Sequence, residues 1–219
     1  MPYTTLISSP ELPTLADLLD KLGGVPADRV RYYPLPGTAS EQDVVEIEAR
    51  ESKLCELIDG VLVEKPLGYY ESILAGYILT ALTNFVLPRK LGYVTGEAGM
   101  MRLLPTRIRI PDVAYVARAR LPGGRPPPGP VPRLYPDLAV EVLSDSNTSA
   151  EMKLKRSEYF SSGTGLVWMV DPVARTVAVY TPDRPDEPLV LNEADTLTGG
   201  DVLPEFTLEL KSLFSLLDA

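Results

Sequence analysis

The sequence predicts an α/β domain built on a mixed β-sheet. Three observations carry that prediction. Leu138-Ala139-Val140-Glu141-Val142-Leu143 is a nearly continuous apolar run, the mark of a central strand buried on both faces. Leu166-Val167-Trp168-Met169-Val170 is a second such run, and a helical pattern lies between the two. Asp59-Gly60 separates two short apolar segments, the strongest two-residue hairpin signal. At 219 residues the chain is long enough for one sizeable core and short for two.

Each element has its own warrant. Pro13-Thr14 opens a helix with apolar residues at Leu15, Leu18, Leu19 and Leu22, closed by Gly23-Gly24. The prolines and glycine of Tyr32-Tyr33-Pro34-Leu35-Pro36-Gly37 make a loop, and Ser40-Glu41 starts a second helix through Val44, Val45 and Ile47. The hairpin pairs Leu54–Ile58 with Val61–Glu64. A long helix with a broad apolar face runs from Tyr69 to about Pro88. From Gly92 the period shifts toward two, giving strands at Tyr93–Thr95, Met100–Leu104 and Val113–Val116. The Pro/Gly/Arg stretch from Pro122 to Pro132 is too stiff and polar for core. After the Leu138–Leu143 strand, Ser149 caps a helix that Gly163 and Gly165 end. Strands follow at Leu166–Val170 and Thr176–Tyr180, then a short strand near Leu189–Leu191, an extended Phe206–Leu208 and a final helix at Leu213-Phe214. The expected division is a helical extension over residues 1–39 and one domain over 40–219.

Composition narrows the chemistry. The chain has no histidine, which excludes a Ser-His-Asp triad and histidine-ligated zinc. It has one cysteine, Cys55, which excludes an internal disulfide and a thiolate cluster and fits a reducing compartment. Met1 to Ile7 lack a basic start and an apolar run. The longest apolar stretch, Ile73 to Val86, is broken by Thr80, Thr83 and Asn84, too short for a membrane span. A cytoplasmic protein without a membrane partner is expected. Catalysis must rest on carboxylates, lysine, hydroxyls or backbone groups.

One charge stands in the wrong place. Glu141 interrupts a strand that should be dry, and a lone buried carboxylate costs several kcal/mol unless a cation answers it. Asp112, after Pro111, stands at the mouth of another strand. Two carboxylates converging on one point repel unless a cation sits between them, and such oxygens suit Mg²⁺ or Mn²⁺ better than zinc. Taken singly, each feature has an ordinary explanation: Pro111-Asp112 as a turn, Glu141 in an ion pair with Arg102 or Arg109, Lys153, Lys155 and Arg156 as a solvated helix face.

Their order lifts them above this. Pro111-Asp112, then Glu141-Val142-Leu143, then a lysine on the next helix, resembles the PD-(D/E)xK nuclease superfamily, and more closely its Uma-type restriction endonuclease family. The similar stretches are Cys55–Val63, Arg109–Val116, Pro136–Ser144, Lys155–Phe160 and Leu166–Pro172. The resemblance implies a restriction-endonuclease-like mixed sheet flanked by helices. It implies Asp112 and Glu141 as ligands of Mg²⁺ (or Mn²⁺), with the Val142 carbonyl as a third, and Lys155 as the catalytic lysine. The position two after Glu141 is Leu143 where the superfamily has lysine; Lys155 takes the displaced place, with Lys153 as runner-up on an adjacent helical face. Glu71, early on the long helix, matches an accessory catalytic carboxylate, or else an acid favoured by the helix dipole. Glu56 is expected beside the site rather than in it. Trp168 and Cys55 are read as core.

The resulting reading is a metal-dependent DNA endonuclease, with Lys155 positioning the attacking water and Arg102, Arg109 and Arg156 on phosphates. A homodimer is expected, because duplex cleavage needs two sites. The rival is a catalytically inactive nuclease-like scaffold serving as a binding or assembly module. Charge bears on both. The net charge is −9, but residues 89–156 carry twelve basic and six acidic residues, a segment of +6 against −15 for the remainder. A basic surplus is therefore expected around the metal position.

Overall fold

The computed structural model describes residues 14–66 and 68–218. The expectation drawn from Met1 to Ile7 lies outside these residues.

Thr14 caps α1 (Leu15–Lys21), its hydroxyl accepting from the Asp17 N–H. Helix α2 (Glu41–Glu51) opens on a reciprocal capping box between Ser40 and Asp43. Strands β1 (Cys55–Ile58) and β2 (Val61–Glu64) form the hairpin. Asp59 and Gly60 both take positive φ, 48° and 78°, as a two-residue hairpin turn of this hand requires. Then come α3 (Tyr69–Val86), β3 (Gly92–Thr95), β4 (Met101–Leu104), β5 (Arg107–Arg109) and β6 (Val113–Ala117). Next are β7 (Leu138–Val142), α4 (Ser149–Ser162), β8 (Leu166–Asp171), β9 (Thr176–Thr181) and β10 (Arg184–Asn192). Strands β11 (Thr196–Gly199) and β12 (Leu203–Glu209) and helix α5 (Leu210–Phe214) complete the chain.

The main sheet has six strands in the order β10-β9-β8-β7-β6-β3. It is mixed: β7 and β8 are parallel, joined by α4 as the crossover that parallel neighbours need, and the other pairs are antiparallel. A second sheet, β2-β1-β5-β4, and a β11-β12 ribbon accompany it. The fold is thus the α/β mixed sheet flanked by helices that the sequence implies.

Strand alternation sorts the core into two layers. Val113, Tyr115, Val140, Val142, Trp168 and Val170 face α3, α5 and β12. Ala114, Val116, Ala139, Val167 and Met169 face α4 and β4. Trp168 is fully buried, its ring stacked on Phe206, as core rather than a base platform. Cys55 lies in a third cluster with Val44, Leu57 and Ile108, and burial pushes its thiol up to about 11. Cys55 is therefore expected to stay unlabelled by a thiol reagent in native protein and to label fully in denaturant, which mass spectrometry reads directly.

Several boundaries differ from expectation. The cap of α4 is Thr148, one residue earlier than Ser149, with its hydroxyl accepting from the Glu151 N–H. Strand β10 has nine residues rather than three, because its polar first half pairs only at Arg184 before a register shift. Strands β5 and β11 are absent from the sequence prediction; each is short and holds one apolar residue. Val131, in the Pro/Gly/Arg loop, is buried in the third cluster and pins that loop.

Residues 14–39 pack on the hairpin. Leu18, Leu22 and Val25 cover Ile58, Val61 and Val63. Gly23 lies so close to α4 that a Cβ there would come within 2.7 Å of the Glu151 backbone. Arg29 reaches the same residue, its guanidinium forking onto both Glu151 carboxylate oxygens at 3.0 and 2.7 Å. Among the described residues no helix is long and apolar enough to cross a membrane.

Candidate active site

The site forms where β6, β7, α3, α4 and the end of β2 meet. Pro111 lies in the short link between β5 and β6 and sets Asp112 at the mouth of the sheet. There Asp112 Oδ2 accepts the Val142 N–H at 2.7 Å, so the aspartate is stitched to the strand that carries Glu141. Its other oxygen, Oδ1, lies 2.8 Å from Lys65 Nζ. Lys65 also donates to the Ile110 carbonyl at 2.6 Å.

Glu141 sits on the α4 side of β7 and is buried. Lys155 and Tyr159, one helical turn apart on α4, both reach it: Lys155 Nζ at 3.2 Å and the Tyr159 hydroxyl at 2.6 Å. Lys155 bridges on to Glu56 Oε1 at 3.1 Å. A small cleft of about 20 Å³, room for a single water-sized occupant, is lined by Lys65, Glu71, Asp112, Glu141, Val142 and Lys155 among others. Glu71 therefore does reach the site, with its carboxylate lying back against Gly68, the cap of α3. Beside it opens a larger groove of about 830 Å³, lined by Tyr70, Glu71, Ser144, Met152, Arg156 and Tyr180 among others.

From Glu141 a row of alternating charges runs outward. After Lys155 and Glu56 comes Arg109, whose guanidinium binds Glu56 at 2.7 Å and Glu158 at 2.6 Å. Arg107 binds Glu158 at 2.7 Å and also pairs with Asp59, which Lys21 meets at 3.2 Å. Glu56 takes the Ile110 N–H as well.

These contacts set the protonation states. Burial raises the Glu141 pKa, and neighbouring Asp112 adds to that, more than Lys155 offsets. Burial works against the Lys155 charge too, but Glu141 and Glu56 reverse it and hold the ammonium well above its usual range. Lys155 is thus a fixed cation rather than a base. Burial alone would raise Glu56, yet Lys155 and Arg109 bring it down to about 2.

A carboxylate whose folded value is depressed stabilises the fold above its ordinary value and loses that contribution as pH falls toward the folded one. Glu56→Gln is expected to be less stable than the parent at pH 7 and to show a flatter loss of stability between pH 4.5 and 2, measured by urea unfolding across pH. A parallel pair of profiles would refute the assignment.

The remaining candidates separate. Lys153 does not reach the site. It is two residues from Lys155, on a different side of the helix, exposed and 3.5 Å from Asp186. Arg109 is only 1% exposed and spent on two acids, so it holds the framework and faces no phosphate. It is also Glu56 and Glu158, not Glu141, that Arg109 pairs with. Arg102 is half-exposed against Glu41. Arg156 lies over the Tyr180 ring beside the groove and binds Asp186.

The expected basic surplus around the site is not there. Seven of the twelve cations of residues 89–156 are ion-paired, most of them to acids from the flanks. The exposed Arg89, Lys90 and Arg118 lie by the junction of β3 and β6, where the Arg118 N–H meets the Leu91 carbonyl, at the opposite end of β6 from Asp112.

Lys65, Tyr159 and Glu158 escaped the sequence reading. Spacing from Lys155 could have found Tyr159, at i+4. Nothing local marks Lys65, whose partner is 47 positions away.

The profile of the Uma2 family, described as "Putative restriction endonuclease", matches residues 41–211. The chain belongs to the Uma2 family. Its fold is similar to the crystal structure of a protein from Anabaena variabilis described as "a putative nuclease belonging to DUF820". The two share 22% identity and a TM-score of 0.66, over 75% of this chain and 91% of that one. No curated protein sequence matches significantly. The Uma2 profile begins at 41, so the α1 segment that Arg29 ties to α4 lies ahead of the matched region. Among the described residues, no three acid, cysteine or histidine side chains are grouped as a metal-binding cluster.

Proposed function

We propose that this Uma2 protein hydrolyses phosphodiester bonds of DNA in a metal-dependent reaction at the Asp112–Glu141 cleft. The observation that carries the proposal is the meeting of Asp112, Glu141 and Lys155, from β6, β7 and α4, around a pocket sized for one small occupant. The donor set is all oxygen, which fits Mg²⁺ or Mn²⁺. Asp112, Glu141 and the Val142 carbonyl would hold the ion, which when bound supplies Lewis-acid polarisation of a phosphate and a more acidic water.

The chain's own groups do the rest. Lys155, kept charged by two carboxylates, orients Glu141 and offsets negative charge gathering on the phosphate. It takes no proton. Tyr159 fixes the other Glu141 oxygen, and Glu71 lines the entrance. The groove beside the cleft gives the strand a path, with Arg156 along it. Two copies would supply the two cuts of a duplex.

A second reading keeps the fold and drops the chemistry: a nuclease-like scaffold that binds or assembles. One observation favours it. Asp112, Glu141, Glu56, Glu158 and Asp59 are each already answered by a lysine or arginine. As the site stands, its charge balance sides with this second reading more directly than with cleavage. Incubating plasmid and single-stranded DNA with purified protein and Mg²⁺ or Mn²⁺ separates the two. Cleavage that Asp112→Asn abolishes supports the first; intact DNA under every metal, with binding retained, leaves the second.

A further inference from the structure

The cation on Asp112 is Lys65, whose ammonium sits deep in the cleft. Lys65 follows β2 directly, and its backbone N–H is tied to the Leu54 carbonyl at 2.8 Å, so the stem starts from a fixed point. The side chain is 4% exposed. Of its three donors, one meets Asp112 Oδ1 and one the Ile110 carbonyl. It lines the same small cleft as Asp112, Glu141 and Val142.

That position is the one a divalent ion would claim. Asp112 Oδ2 is committed to the Val142 N–H, so Oδ1 is the oxygen left for a metal, and Oδ1 is the one Lys65 holds. Two nearly dry carboxylates need a positive charge near them, and here Lys65 and Lys155 provide it. With Lys65 in place the cleft still has room for one small occupant, so the competition is for the Asp112 oxygen and its charge rather than for space.

We propose that Lys65 is a resident competitor for the metal position: its ammonium neutralises Asp112 in the ion-free protein, and a divalent cation binds only by displacing it. This rests on the hydrolytic reading of Asp112 and Glu141. It explains how one site can be self-neutral at rest and still hold the donor set of a metal site. It also gives Lys65 a part distinct from that of Lys155, which is locked between two acids behind Glu141.

The test is Mn²⁺ binding, read from the electron paramagnetic resonance signal of the free ion, with no DNA present. Lys65→Gln keeps an N–H for the Ile110 carbonyl and removes the charge; Lys65→Met removes both, and Lys65→Arg keeps the charge. Thermal unfolding establishes that each variant is folded. The two uncharged variants are expected to bind Mn²⁺ on the order of tenfold more tightly than the parent, a gain of about 1.4 kcal/mol. Lys65→Arg is expected to show no gain, and adding Asp112→Asn to Lys65→Gln is expected to abolish it. The uncharged variants should also gain more thermal stability from Mn²⁺ than the parent does. Asp112-dependent binding that is equal or weaker without Lys65 overturns the competitor role and leaves the metal reading standing. Absence of Asp112-dependent binding in parent and variants alike overturns both.

Discussion

Arg109→Met is expected to cost about 3–5 kcal/mol of folding stability, the usual loss when one member of a buried ion pair is removed. The side chain is 1% exposed and lies between Glu56 and Glu158, at 2.7 and 2.6 Å. Methionine fills the stem's volume, so the loss comes from two buried carboxylates that each lose one of their counter-charges and not from a void. Chemical denaturation of the parent and the variant measures it. Glu56 would then keep only Lys155 and the Ile110 N–H, and Lys155 would be drawn toward it and away from Glu141. A loss under 1 kcal/mol would show that the row of charges carries little net stability. Adding Glu158→Gln to Arg109→Met should give a total loss that is not the sum of the two single losses, because the residues are in direct contact.

Asp112→Asn is expected to lower metal-dependent cleavage on the order of 10³-fold, about 4 kcal/mol of transition-state stabilisation. Asparagine can still accept the Val142 N–H through its amide oxygen, so the strand junction survives, while its NH2 group replaces the oxygen that holds Lys65. Lys155→Met should fall to a similar floor. The double variant should be little worse than either alone, since groups acting as one unit are not additive. Equal cleavage by parent and Asp112→Asn would assign the activity to something else in the preparation. Near-parental unfolding of Asp112→Asn is the control that separates chemistry from folding.

Much of the fold was legible because local patterns and tertiary demands agree here. Leu138–Leu143 reads as a buried strand and is β7; Asp59-Gly60 reads as a tight hairpin and takes the positive φ values one requires. Glu141 was legible for the opposite reason: a charge inside an apolar run violates the local rule, and its partners had to exist. Lys155 followed from family order, and burial against Glu141 distinguishes it from Lys153. Strands β5 and β11 were hidden because a strand with one apolar residue has no period to detect.

Charge was the least legible quantity. A basic surplus along the sequence suggested a basic surface, yet Arg107 and Arg109 turn inward and Arg102, Arg120 and Arg156 are each matched by an acid. Linear charge counts cannot see pairing between residues 17 to 61 positions apart. Lys65 was missed for the same reason: only the tertiary fold brings the residue after β2 to Asp112.

The contact between Arg29 and Glu151 has a consequence for where the functional unit begins. Glu151 is almost wholly buried at the start of the helix that carries Lys155, and its counter-charge comes from a segment ahead of the family-matched region. A chain shortened to residues 41–219 would strand that carboxylate next to Asn147, which lines the cleft and donates to Glu151. The leading segment acts as a splint for the helix that carries Lys155, and a trimmed version of this protein tested for activity would be tested with that splint removed.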